Sequence, residues 1–158
     1  METLKTILKD KFAKWALIVL SMLYIVILLA DFIAPYSSTY SNRAMSYAPP
    51  SKIYTITEDG KLSKPYTYNY IREFEPALMQ TIYKQDRSKK HYINIFAQGE
   101  EYKFLGIIKT QRHLFGTDKE GQLYLLGTDI NGRDVFSRLL FGGRISMTIG
   151  FLSLFIVF

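Results

Sequence analysis

Residues 15–30 carry no charge, and their only hydroxyls are those of Ser21 and Tyr24. Adding Asp31, Phe32, Ile33 and Ala34 gives twenty positions, about 30 Å as an α-helix and close to one hydrocarbon thickness. Asp31 then falls near an interface, where a carboxylate costs far less than at the midplane. A buried helix of a soluble protein would show a polar stripe, and this run has none. A cleaved signal peptide would have a shorter apolar core and a small-x-small exit site, and residues 30–35 offer no good one. The run therefore reads as a retained transmembrane helix over residues 15–34.

Lys5, Lys9, Lys11 and Lys14 precede it against only Glu2 and Asp10. That bias places residues 1–14 in the cytoplasm and residues 35–143 on the far side of the membrane. The formal net charge of +6 comes from this flank and from a diffuse excess further on. It forms no compact basic patch with base-stacking aromatics, so nucleic acid is not an expected partner. The absence of cysteine excludes disulfides and thiolate metal sites within the chain.

Residues 35–128 are expected to fold as a small extracytoplasmic domain, α+β or mostly β. Residues 36–52, rich in Ser, Tyr and Pro, read as an extended lead-in. Strands are expected over 53–57 and 66–72, with Asp59 and Gly60 supplying a turn. Pro76 is placed to open a short helix over 76–83. A hairpin is expected with arms 92–97 and 102–108 and a turn at Gln98, Gly99 and Glu100. Lys84, Arg87, Lys89 and Lys90 read as a solvated face. The twelve tyrosines suit either a headgroup or partner surface, or half-buried strand faces. His91 and His113 are far apart and lack an acidic cluster, so no metal site is expected. Glu73/Glu75 and Glu100/Glu101 read as surface charge, and no hydrolase motif is present. The chain is not expected to be an enzyme.

Residues 113–121 and 126–132 repeat the pattern apolar-Gly-Thr-Asp-x-x-Gly. Each copy can make a tight turn, with Asp bonding nearby amides and Gly adopting a left-handed conformation. After the second copy, residues 129–142 read as an interfacial amphipathic helix in which Asp134 and Arg138 pair at a spacing of four. Gly142 and Gly143 would then permit a sharp re-aiming of the chain, or close helix packing. Residues 143–158 read as the start of a second transmembrane helix, too short to finish a crossing, so a longer protein is expected. Gly142, Ser146 and Gly150 are spaced by four, the small-residue face on which membrane helices pack.

Residues 126–150, Leu-Gly-Thr-Asp-Ile-Asn-Gly-Arg-Asp-Val-Phe-Ser-Arg-Leu-Leu-Phe-Gly-Gly-Arg-Ile-Ser-Met-Thr-Ile-Gly, resemble the peptide-type permeases of bacterial ABC importers, the dipeptide/oligopeptide "C" subunit kind. In that family this stretch stands directly before the second transmembrane helix. Residues 99–106 and 112–116 resemble the exported insertion of its oligopeptide-type members. The resemblance implies an α-helical membrane protein of about six spans when complete, in the bacterial cytoplasmic (inner) membrane. It implies a second homologous permease, two cytoplasmic ATPase subunits that bind ATP and Mg, an extracytoplasmic solute-binding protein and a peptide substrate. No cofactor is implied for this chain itself. Asp129, Arg133, Asp134 and Arg138 would fix the interfacial helix, as gating or structural residues. Tyr92, Tyr102 and Gly106 would contribute to docking a partner. The competing reading is a membrane-tethered extracytoplasmic binding or assembly module, which leaves the second apolar segment unexplained.

Overall fold

The computed structural model describes residues 10–57, 60–76, 79–104 and 108–157. Helix α1, Lys11–Leu28, is capped by Asp10, whose carboxylate accepts the Phe12 amide at 2.8 Å. Helix-compatible apolar residues carry it without a break to Leu29. A four-residue helix α2, Ala30–Ile33, continues the line. Ala34 then turns extended, φ −67° and ψ 127°, as a residue before proline must. Helix α3, Val135–Val157, is the other long apolar helix, and both are long and apolar enough to cross a membrane. They meet where Ala30, Ala34 and Leu140 form a small core walled by Val26, Ile33, Phe136 and Phe141.

Helix α3 corrects the two-part reading of residues 129–158. Residues 129–134 form a turn, and the helix runs through Gly142 and Gly143 without a break. Glycine costs a helix about 1 kcal/mol. Here Gly143 has a packing reason, since a Cβ on it would lie 3.0 Å from Ile27 Cδ1 on α1. Of the two sequence readings of Gly142 and Gly143, the chain is not re-aimed, and close helix packing describes Gly143.

Between the long helices lies a domain rich in strands. Strands β1 (Tyr54–Ile56), β2 (Leu62–Glu75) and β3 (Gln80–Tyr92) form an antiparallel sheet in that order. Gly60, at φ +75°, serves the first turn and donates its amide to the Thr57 carbonyl, while Asp59 lies outside the described residues. The helix expected over 76–83 is not formed. Pro76 ends β2, and Thr81, Ile82 and Tyr83 continue in β3, paired with Phe74, Glu73 and Arg72. Branched and aromatic side chains suit the pleat better than a short helix, and Ala77 and Leu78 lie outside the described residues.

The second hairpin is also shifted from its expected register. Strand β4 (Asn94–Ile95) pairs with β7 (Phe115–Gly116), and β5 (Gln98–Phe104) pairs with β6 (Ile108–Arg112). Gln98, Gly99 and Glu100 therefore belong to a strand, and the connection falls on 105–107, outside the described residues. Gly99 is demanded by close approach, because a Cβ there would sit 2.6 Å from His113 Cδ2.

Tyrosine builds much of the domain's core. Met45, Ala48, Tyr70 and Tyr124 are buried together, with Tyr36, Tyr40 and Tyr83 packed around them. Their hydroxyls end on partners. Tyr70 donates to the Pro50 carbonyl at 2.9 Å, Tyr83 donates to the Ser46 carbonyl, and the Tyr40 and Tyr124 hydroxyls meet at 3.2 Å. A buried phenol needs such a partner. Of the two sequence readings of the tyrosines, strand faces describe Tyr70 and Tyr83, whereas Tyr36, Tyr40 and Tyr124 reach the same core from segments outside the strands.

Candidate functional site: the joint between the long helices

Four contacts tie α1, α2, α3 and the strand domain together. The first is ionic. Arg144 Nη2 lies 2.9 Å from Asp31 Oδ2 and Nη1 lies 3.3 Å from Oδ1, a two-point pairing across the helices. Nη2 also reaches the Leu28 carbonyl at 3.3 Å. Such forked geometry is where an arginine–carboxylate pair has the most specificity.

The second contact is a short relay. Asp134 stands before the first residue of α3, and its Oδ2 accepts both the amide (2.7 Å) and the hydroxyl (2.6 Å) of Ser137. The Ser137 oxygen in turn accepts the Tyr36 amide at 3.4 Å. Asp134 and Ser137 are each 2% exposed. Burial pushes the Asp134 carboxyl above its ordinary range, opposed by the two Ser137 bonds.

The third contact takes up the outer end of α2. The Leu114 amide donates to the Phe32 carbonyl at 2.7 Å, and His113 Nδ1–H donates to the Ala34 carbonyl at 2.6 Å. These carbonyls belong to the group that a helix end leaves without an internal partner. Phe115 on β7 meets Phe136 on α3 with ring centroids 6.1 Å apart.

The fourth is the turn of the second repeat. Asp129 Oδ1 accepts the amides of Asn131 (2.8 Å) and Arg133 (2.9 Å), and Oδ2 pairs with Arg138. Burial alone would raise the Asp129 carboxyl. The two amides and the Arg138 guanidinium together outweigh it and hold the carboxyl below its ordinary range. Gly132 sits at φ +68°, and a Cβ there would lie 1.8 Å from the Asn42 carbonyl oxygen. Only glycine fits.

The sequence-selected residues are distributed unevenly over this joint. Asp129, Asp134 and Arg138 belong to it, but Arg138 pairs with Asp129 rather than with Asp134 as expected. The Asp134 carboxylate is turned inward to cap the helix instead. Arg133 contributes backbone, exchanging bonds with Asp129 through its amide and carbonyl. Gly142, Ser146 and Gly150 do not face α1. All three are exposed, and a Cβ on Gly142 or Gly150 would meet nothing within 4 Å. The contact with α1 is made one position along, by Gly143 and by the Met147 carbonyl, which accepts from Tyr24 at 3.5 Å. Tyr92 ends β3, with its ring edge toward Tyr66. Tyr102 lies on a different sheet, where its hydroxyl donates to the Arg112 carbonyl at 2.6 Å. Gly106 lies outside the described residues. Sequence reasoning missed the Asp31–Arg144 pair, although a lone acid closing one apolar run and a lone base opening the next were visible as a signal.

The basic cluster is also more than a solvated face. At its bulge β3 passes four residues, 87–90, where β2 passes only Tyr68, and three neighbouring side chains there grip other parts of the domain. Lys89 pairs with Glu120, Lys90 lies over the Tyr66 ring at 5.3 Å, and His91 Nδ1 meets Asp118 Oδ1 at 2.6 Å. Asp118 of the first repeat thus bonds across to β3, whereas Asp129 of the second closes its own turn. Among the described residues no group of three or more His, Asp or Glu side chains is placed to hold a metal ion.

Residues 2–50 match the family model described as the N-terminal TM domain of oligopeptide transport permease C. That segment holds α1, α2 and most of the lead-in, and with them Asp31, Phe32, Ala34, Tyr36 and Asn42 of the joint. No curated protein and no solved structure gives a match.

Proposed function

We infer that this chain, whose residues 2–50 match the family model of the N-terminal TM domain of oligopeptide transport permease C, is a permease subunit of an importer driven by ATP hydrolysis in partner subunits. The family match carries the reading. It falls on the helix that physical reasoning alone selects as a span. The resemblance of residues 126–150 to the same permease kind supports it from the other side of the strand domain.

In this reading the lysines before α1 hold the N-terminus in the cytoplasm of a bacterial inner membrane, and the strand domain stands outside. Asp31 and Arg144 lie at the outer boundary, where a paired charge is tolerated. The complete protein has about six spans and pairs with a second homologous permease. Two ATPases bind ATP and Mg, and an external solute-binding protein delivers oligopeptides or dipeptides. In this reading the ATP chemistry belongs to the partner subunits. Its own part is mechanical. The four contacts of the joint make α1, the start of α3 and the strand domain one body. A rearrangement of the helices then moves the outer docking surface, as alternating access requires of linked elements.

Uptake of a radiolabelled tripeptide tests this in cells lacking and then regaining the full-length gene. Restored, ATP-dependent uptake is expected. Uptake that is indifferent to the gene would sink the reading and favour a tethered assembly module.

A further inference from the structure

The two-stranded sheet of β4 and β7 is held against both apolar helical runs. On one side the Phe96 amide donates to the Leu114 carbonyl at 2.9 Å, and the Leu114 amide donates to the Phe32 carbonyl of α2. The Phe96 and Phe32 rings lie 6.0 Å apart. On the other side Ile95 pairs with Phe115, whose ring meets Phe136 in the first turn of α3. Phe136 also walls the small core of Ala30, Ala34 and Leu140. The sheet is therefore pinned where the first apolar run ends and the second begins.

At that place it turns apolar side chains outward. Ile95 is 74% exposed and Phe96 58%. Single exposed apolar residues are common, but Phe96 is unfavourable in its backbone as well. Its φ is +58°, a left-handed conformation that suits Gly or Asn and disfavours a bulky side chain. Tyr47 and Met79 share that conformation, and Phe96 is distinguished from them by its ring contact with α2. In water, Gly or Asn would fit this backbone better and expose nothing apolar. An aromatic ring gains there when its surroundings are themselves partly apolar, as the boundary between lipid headgroups and acyl chains is.

We propose that Ile95 and Phe96 enter the bilayer leaflet on the side of the strand domain, beside Phe32. The strand domain then rests on the lipid surface at this point as well as on the two helices. The occupant is lipid because the patch continues, through the contact of Phe96 with Phe32, the end of a helix long and apolar enough to cross a membrane. The proposal rests on the reading of the long helices as spans and is independent of what is transported.

Trp15 is the single tryptophan of the chain and is exposed on α1, so it serves as an internal reference. The full chain is placed in nanodiscs whose phosphatidylcholine is brominated close to the headgroup, which quenches tryptophan emission on contact. The parent reports on Trp15, and two variants carrying Trp15→Phe with either Ile95→Trp or Phe96→Trp report on the patch. A loss of emission comparable with that of Trp15, a blue-shifted maximum and shielding from aqueous iodide are expected at both new positions. Thermal melts show which variants are folded, and Ile95→Trp leaves the left-handed position untouched, so it carries the test if Phe96→Trp does not fold. Quenching of Trp15 alone, with iodide reaching the patch, overturns the proposal and leaves the span intact. Shielding of the patch from both quenchers also overturns it and gives the surface to a protein, a second copy included. If Trp15 itself escapes the brominated lipid, the spanning reading has failed and the proposal fails with it.

Discussion

Asp31 and Arg144 are 113 residues apart in sequence and form a forked ion pair, 2.9 Å at its closest, that joins the short helix α2 to the interior of α3. Their side chains are 14% and 37% exposed, so neither charge is fully solvated. Removing one partner leaves the other poorly compensated. Asp31→Asn or Arg144→Ala should each cost roughly 1–3 kcal/mol, between the ranges for exposed and buried pairs. The exchange Asp31→Arg with Arg144→Asp should recover part of the loss. Thermal unfolding of the detergent-solubilised chain in a double-mutant cycle measures the coupling, and purely additive losses would refute it.

Two glycines ten positions apart should respond oppositely to alanine. At Gly132 the left-handed backbone and the Asn42 carbonyl both forbid a Cβ, and a loss of about 3 kcal/mol or more is expected. At Gly142 nothing stands within 4 Å, so the isolated chain should gain up to about 1 kcal/mol of helix propensity. Melting midpoints of the two variants decide this. Impaired assembly of the Gly142→Ala variant with a partner permease would show that the open face is used there.

Acid should act through Asp129 and Asp134 in opposite directions. The Asp129 carboxyl is depressed, so its stabilisation is present above the ordinary carboxylate pKa and is lost as pH falls through the depressed value. Asp129→Asn should flatten that acid limb. The Asp134 carboxyl is raised, so its contribution is present below the ordinary pKa and is lost as pH rises through the raised value. Asp134→Asn keeps an acceptor for Ser137 without the cost of ionisation and should match or exceed the parent at pH 7. Asp134→Ala, which removes the cap, should fall about 1 kcal/mol or more below it. Melting midpoints across the acidic range check both signs.

Arg133 separates a structural role from a gating one. Its backbone holds the turn while its guanidinium joins no ion pair among the described residues. Arg133→Glu should therefore change stability by less than about 1 kcal/mol. Measured in the full transporter, reduced peptide uptake with normal assembly supports gating, and lost assembly supports a surface that partners require.

Local signals in the sequence were legible where one physical rule acted alone. The charge-free run at 15–30 produced α1, and the second repeat produced the turn around Asp129 and Gly132. Reading failed where distant residues decide the outcome. Gly99 resembles a turn residue until His113 occupies the space of its Cβ. Gly142 and Gly143 leave re-aiming and close packing both open until Ile27 packs on the second. Pro76 resembles a helix start because the pairing of β2 with β3 is invisible locally. Asp134 and Arg138 have the spacing of a helical pair, yet the acid lies before the helix and its carboxylate is drawn inward by Ser137. The joint was therefore half visible, with Asp129, Asp134 and Arg138 named, and the Asp31–Arg144 pair and most other partners hidden.

The carbonyls of Phe32 and Ala34 are held by Leu114 and His113, whereas α1 below them buries no residue within the chain. A rod fixed at one end behaves as a lever. Over the 18 residues of α1, about 27 Å at helical rise, a tilt of some 5° about that fulcrum would carry the Lys11 end sideways by about 2 Å. Small rotations at the Ala34 end would be read as larger displacements at the Lys11 end.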